Sequence, residues 1–434
     1  MSLGKVIQHH EAIMPPHSAD TIIIGGGTVG LCAAVYLQRS GRNVMVIDPL
    51  PSPGGASFGN AGMISPDTAV PISLPGMLRK VPGWLMDPMG PLVVRPAYFA
   101  RAFPWLMKWI SAGRWTNVLN ISDAMRSLHK DSFAYWRELV GEAYGDLIRN
   151  DGQVHLWESE NESLTAARER QIRERHGIEA RALTRDEISD LFPDMATGPK
   201  RAVFVPGNGY TVSPARLVQK LEEIFLKGGG QRVHDQVGKV IPAPGGRNFT
   251  VLTGVGNFTA PNVVVCAGAH SARLLEPLGV SVPLEIERGY HIMLRDHGLR
   301  VGTTLSNKSR SFGLTPMADG LRVAGTVEIS GLDTVPDERR AFMLTRQLKQ
   351  SFPSVNVENL TFWAGMRPSL PDSLPVIEES ARHPGLFLNF GHSHFGMTGG
   401  PGSGLLLSQI MNREKPFTDP AAYSLQRKTI RLLS

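Results

Sequence analysis

The chain has 434 residues, more than one hydrophobic core usually serves, so about two domains are expected. Hydrophobic residues at 42% and charged residues at 19% exclude a disordered chain. The net charge of +6 comes from scattered Lys and Arg without a basic stripe, which excludes nucleic acid and suits an anionic cofactor, substrate or membrane surface.

Residues 1–17 read as a flexible leader with no secretory pattern. Thr21–Ile24 is a short β-branched run, expected as a buried parallel strand. It runs into Gly25-Gly26-Gly27-Thr28-Val29-Gly30, which fits G-x-G-x-x-G. A helical pattern follows over 31–40, with Gly41 past its end. A second strand over 43–47 stops at Asp48. In such a unit Gly25 permits the tight turn, Gly27 lets backbone approach a pyrophosphate, and Gly30 lets the helix pack closely. The helix N-terminus attracts phosphate. Asp48, about 20 residues past the first glycine, can accept from ribose hydroxyls, and an acid there speaks against a 2′-phosphate. A glycine turn that binds nothing would not need this whole context.

Next comes a small-residue loop over 51–66, placed to return over a pyrophosphate and carrying Ser57, Asn60, Ala61 and Gly62. The stretch 74–115 holds Trp84, Trp105, Trp109 and Trp115, with Arg79, Lys80, Arg95, Arg101, Lys108 and Arg114 against Asp87 alone. Two readings stand: a surface that lies on a membrane interface, or a helical part of a second domain that buries its tryptophans. Its prolines forbid one long spanning helix, and no transmembrane helix is expected elsewhere. Residues 152–157 and 290–294 are expected as strands of a second sheet, and 168–176 as a solvated helix face. A buried strand over 262–266 precedes a small-residue turn at Gly268. Another over 385–392 precedes a glycine-rich loop, 396–404, and an apolar helix from about Leu405. Cys32 and Cys266 lie in apolar runs as inert buried thiols, so no disulfide framework is expected.

Taken together these motifs resemble the FAD-dependent D-amino-acid oxidase/glycine oxidase superfamily, and within it the bacterial D-amino-acid dehydrogenase (small subunit) group. The resemblance rests on the fingerprint, Ser57-Phe58-Gly59-Asn60-Ala61-Gly62, the 263–268 strand, Trp363-Ala364-Gly365-Met366-Arg367-Pro368 and 391–404, and it runs from about Asp20 onward. It implies an α/β fold: a three-layer, Rossmann-like FAD-binding domain with a parallel sheet, and an α+β substrate domain on a mixed or antiparallel sheet. The FAD-binding pieces are expected at 18–72, 198–281 and 361–430, the substrate-domain pieces at 73–197 and 282–360. It also implies that Gly25, Gly27, Gly30 and Asp48 hold the ADP half, and that Ser57, Asn60, Ala61 and Gly62 lie along the pyrophosphate and flavin. Val237 would meet the adenine, Gly268 would form the second dinucleotide turn, and Gly396, Met397 and Thr398 would border the ring. Met366 and Met397 occupy stretches where some relatives attach the flavin through cysteine, so noncovalent FAD is expected.

Oxidising an amine beside a carboxylate asks the protein to anchor the carboxylate, aim the α-hydrogen and favour the neutral amine. The resemblance assigns the carboxylate to Arg367, whose fork binds it bidentately; an Arg before Pro is otherwise more often a surface residue. It also places His394 near the substrate. His392 and His394 lack a third ligand, so no metal is expected. Tyr290 and Phe312 are candidates to cover the ligand, with a plain core role as the alternative. Electrons are expected to pass to a quinone-type acceptor at the inner face of the cytoplasmic membrane, where a cytoplasmic protein would bind peripherally. Four readings of activity remain open: a D-amino-acid dehydrogenase, a dehydrogenase for cyclic D-imino acids such as D-proline or hydroxyproline, an oxygen-using oxidase of the glycine or sarcosine type, and an electron-relay subunit needing a partner.

Overall fold

A computed structural model describes residues 19–431 except 53, 77–89, 91, 197 and 247. The leader 1–17 and Arg79, Lys80, Trp84 and Asp87 therefore lie outside the described residues. The first sheet has six strands in the order Gln231–Val233, Val44–Ile47, Thr21–Ile24, Asn262–Val265, Leu386–Phe390 and Val376–Glu379. All its neighbours run parallel except the last pair. Strand alternation divides its side chains between two cores. Ile23, Val44, Val46 and Val264 face the helices Thr28–Arg39, Pro214–Lys227 and Gly396–Met411. Ile22, Ile24, Met45, Ile47, Val263 and Val265 face a three-stranded antiparallel sheet through Val240, Phe249 and Val251. Helices, parallel sheet and small sheet make three layers. Each fully buried aliphatic side chain contributes about 1.5–3 kcal/mol, which is why the central strands are mostly aliphatic on both faces.

The second sheet has nine strands and is mixed. Its main path runs Leu360–Ser369, Glu285–Leu294, Gly320–Ile329, Phe312–Met317, Thr304–Asn307, Gln153–Trp157, Arg201–Val205 and Arg181–Ala182, and Leu92–Val94 pairs with the end of Gly320–Ile329. The helix Glu338–Ser351 closes its outer face through Ala341, Leu344 and Leu348 against Ile292, Leu314 and Val323.

Three expectations need correction. Arg201–Val205 and Leu360–Ser369, placed by the sequence reading in the FAD-binding pieces, pair in the second sheet with Gln153–Trp157 and Glu285–Leu294. Conversely, the helices Trp115–His129 and Ser132–Val140 join the first core through Met125, Leu128, Trp136 and Leu139. The glycine-rich segment 396–404 is no loop but the first half of the helix Gly396–Met411. Its glycines serve close packing: a Cβ at Gly404 would lie 2.8 Å from Ala33 N, and one at Gly402 2.5 Å from Leu128 O. Pro401 inside this helix has no N–H for Met397 O, and Trp136 Nε1–H donates to that oxygen instead (3.0 Å).

The tryptophans of 74–115 turn inward where they are described. Trp105 and Trp109 are buried, and Trp105 Nε1–H donates to Ser369 O (3.2 Å). Trp115 packs under the Arg168 guanidinium, 4.2 Å from its ring centre. What the helix Phe99–Ala112 exposes instead is Phe99, Phe103 and Met107, at 42%, 49% and 48%. Among the described residues no helix is long and apolar enough to cross a membrane.

Candidate active site

A cavity of about 1100 Å³ runs between the two sheets, from the glycine turn to the end of the Leu386–Phe390 strand. At one end Gly25 sits at φ +112°, and a Cβ there would strike Cys266 O at 2.3 Å, so only glycine fits. A Cβ at Gly30 would meet Gly25 O at 1.9 Å, which is how the helix Thr28–Arg39 seats directly on the turn. Around Gly27, by contrast, the nearest atom is Ser57 Oγ at 3.1 Å, which leaves a cradle open to a ligand. Ser57 Oγ accepts from Thr28 N–H (3.0 Å), tying the 51–66 loop to the helix start. The Asp48 carboxylate is fixed by Gly26 N–H (2.6 Å) and Leu50 N–H (2.8 Å) at the cavity wall. Val237 and Gly238 line the same end. Gly268, at φ +52° with open space beside it, lines the cavity farther along.

The sequence reading missed Arg232. Its side chain is buried beside Gly26, donates to Leu50 O (3.0 Å) and faces Glu222 (3.3 Å), yet Nε and Nη1 have no hydrogen-bond partner. An enclosed, incompletely paired guanidinium next to a phosphate-type turn favours an anion. Nothing local in the sequence points to it, because the edge strand Gln231–Val233 brings it there.

Farther in, the wall is built from Gly59, Asn60, Ala61 and the start of the Gly396–Met411 helix. Asn60 Oδ1 accepts from Gly62 N–H (2.8 Å), and Ala61 O accepts from the Thr315 hydroxyl (2.8 Å). Gly62 stands just behind this wall at φ +80°, where a Cβ would press on Met317 Cε at 2.6 Å. Gly396, Met397 and Thr398 line the cavity, and Thr398 Oγ1 accepts from Ser65 N–H (3.0 Å). Trp363 stacks on His291 (5.2 Å between ring centres) and covers Gly59, whose carbonyl accepts from His291 Nδ1–H (2.9 Å).

The second sheet supplies the charged end. Arg367 is half-buried, and its Nη1 is enclosed without a hydrogen-bond partner. Strand register sets Glu287 directly opposite Arg367, and the bare backbone of Gly289 leaves room for the guanidinium: a Cβ there would lie 2.2 Å from it. His394, from the loop after the Leu386–Phe390 strand, donates from Nε2 to Glu287 Oε2 (2.7 Å). Burial opposes the Glu287 charge, but the His394 bond and the charges of His394 and Arg367 outweigh it, and the carboxyl ends below its usual range. Burial and Arg367 push His394 below the ordinary histidine range, with Glu287 opposing.

Arg367 and His394 thus flank one carboxylate that the sequence reading did not single out: His394 bonds to Glu287, and Arg367 stands opposite it on the neighbouring strand. Tyr290 and Phe312 do not join them. Tyr290 touches the cavity from the strand's other side, and its hydroxyl is engaged, donating to Glu328 (2.5 Å) and accepting from Asp337 N–H (3.0 Å). Phe312 lies in the second sheet's core, away from the cavity wall. His392 is enclosed too, bonded to Ser403 Oγ (2.9 Å) and pushed down to about 3 by burial and the neighbouring His129.

A three-layer dinucleotide domain, a glycine cradle, an acid at the end of the second strand and a roofed cavity define a dinucleotide-binding protein with an enclosed site beside the dinucleotide turn. The model of the family described as FAD dependent oxidoreductase (DAO) matches residues 20–410, and the chain belongs to that family. FAD is its cofactor, and the protein is an enzyme. It is 34% identical to a D-amino-acid oxidase of Bradyrhizobium diazoefficiens over 422 residues, covering 95% of this chain and 99% of that one. It is 29% identical to a D-amino acid dehydrogenase of Rhodopseudomonas palustris over 417 residues, covering 94% and 97%. Among solved structures its fold is similar to an L-proline dehydrogenase from P. horikoshii (TM-score 0.73, 18% identity, 94% and 97% covered). It is also similar to glycine oxidase from Geobacillus kaustophilus (TM-score 0.71, 22% identity, 94% and 98% covered).

Proposed function

We propose that the enzyme oxidises D-amino acids to imino acids, which water converts to 2-oxo acids, and passes the electrons to a quinone-type acceptor. The observation that carries the reading is Arg367: a half-buried guanidinium on the cavity wall whose side chain makes no hydrogen bond or ion pair among the described residues. Its fork anchors the substrate carboxylate, which orients the α-carbon toward Gly59 to Ala61 and the Gly396 helix start. Gly25, Gly27, Asp48, Ser57 and Arg232 hold the dinucleotide, Val237 meets its adenine, and Met366 and Met397 leave the flavin noncovalently held. Bound there, FAD supplies the hydride acceptor. Trp363 and the second sheet exclude water from the reacting carbon.

The exposed Phe99, Phe103 and Met107, one helical turn apart, support peripheral contact with a membrane, where a quinone resides. The test of function is anaerobic mixing of the yellow holoenzyme with D- and L-amino acids, D-proline and hydroxyprolines. Bleaching by D-isomers alone supports the proposal. Bleaching by cyclic imino acids alone assigns that class instead, and faster recolouring by oxygen than by a quinone turns the reading to an oxidase. No bleaching at all refutes it.

A further inference from the structure

Glu287 is buried and stands between two partners: Arg367, opposite it on the neighbouring strand, and His394, bonded to it at 2.7 Å. The carboxylate accepts only, so the shared proton sits on Nε2 and the Nδ1 lone pair is left over. Nδ1 has no hydrogen-bond partner among the described residues, and a third of the His394 side chain is accessible, at the cavity wall. The charged groups facing His394 are Glu287 and Arg367, on separate strands. Glu285, two residues along and bonded to Tyr98 (3.2 Å), is the next carboxylate.

Resting on the amine-oxidation reading, we propose that Glu287 and His394 form a dyad in which His394 is the general base that takes a proton from the substrate ammonium. The carboxylate and amine of an amino acid share one carbon, and Arg367 and His394 flank one carboxylate. A substrate anchored by its carboxylate on Arg367 therefore carries its nitrogen toward His394. The ammonium N–H bond breaks, its electron pair stays on nitrogen, and a bond forms between the proton and Nδ1. The amine regains the lone pair that loss of hydride from the adjacent carbon requires. Glu287 is the positioning residue: it holds the ring in this tautomer and balances the imidazolium as it forms. The ring's proton affinity below that of free histidine keeps it neutral, and so ready to accept, at neutral pH.

The experiment is flavin bleaching by a D-amino acid, followed anaerobically across about pH 5 to 10 in holoenzymes of wild type, His394→Asn and Glu287→Gln. Wild-type kcat/KM should level off once His394 is neutral, well below the pH at which the free amine deprotonates. The His394→Asn profile should keep rising about tenfold per pH unit until the amine itself deprotonates, and at pH 7 it should lie on the order of 100-fold lower. Glu287→Gln should move the break to lower pH, because the imidazolium loses its counter-charge. In isotope-labelled protein the NMR titration of the His394 ring should move the same way without turnover. Should His394→Asn lose its flavin, His394→Ala with added imidazole serves: recovery of rate supports the base, and no recovery counts against it. A His394→Asn profile that parallels wild type, lowered or not, overturns the proposal while amine oxidation stands. A wild type that no amine bleaches overturns both.

Discussion

Replacing Arg367 by alanine should remove most of the substrate's binding energy while leaving the flavin in place. An arriving carboxylate meets a guanidinium that lines the cavity and makes no side-chain hydrogen bond or ion pair among the described residues, so it gains charge-assisted hydrogen bonds without breaking one of the protein's. Truncating one partner of such a pair costs about 2–5 kcal/mol. At about 1.4 kcal/mol per decade, kcat/KM should fall on the order of 30- to several-thousand-fold. Glu287 also loses a flanking charge but keeps His394, so the folded state should lose only about 1–2 kcal/mol. Arg367→Lys keeps the charge without the fork and should fall between the two. The assay is anaerobic flavin reduction by a D-amino acid, with flavin content read from the ratio of visible to ultraviolet absorbance. A kcat/KM within about threefold of wild type at full flavin content would refute the anchor.

At the other end of the cavity, Gly25→Ala should yield a protein with little flavin, since φ +112° and a 2.3 Å approach to Cys266 O admit no side chain; a yellow, fully loaded variant would show that the turn can relax. Stability should fall as pH drops below 6.5. His129, His291 and His392 are each held down to about 3 by burial against an ordinary 6.5, so between those values the unfolded chain binds more protons. Each contributes a slope of up to about 1.4 kcal/mol per pH unit, and thermal melts at pH 5 and 7 should differ accordingly, with no difference counting against enclosed neutral imidazoles. Phe103→Glu with Met107→Glu should abolish pelleting with anionic vesicles at low salt and leave kcat/KM with a soluble acceptor unchanged; equal pelleting of variant and wild type would remove the helix from any membrane contact.

Much of the nucleotide-binding half is local, and so it is written along the chain. A buried β-branched strand, a glycine turn, a helix and an acid follow one another within about 30 residues, and the physical demand on each is met by its own type. Arg367 was legible only through its surrounding motif, since an arginine before a proline says nothing by itself about burial. Tertiary structure decided what depends on residues distant in the chain. Glu287 stands opposite Arg367 because two strands far apart in sequence share a register, and His394 reaches Glu287 from the loop that follows a strand of the first sheet. Arg232 reaches the glycine turn from an edge strand, for which its own neighbourhood holds no sign. Composition was a poor guide to the 74–115 stretch. Trp105 and Trp109 pack inward because a facing strand offers Trp105 a carbonyl and the strands Leu92–Val94 and Gly320–Ile329 cover the rings, which leaves phenylalanine and methionine outside. The glycines of 396–404, which read as a loop, are helical, and at Gly402 and Gly404 neighbouring backbone approaches too closely for any side chain. Local backbone chemistry therefore determined the cofactor end, and only the pairing of remote strands and helices assembled the charged end where a substrate would bind.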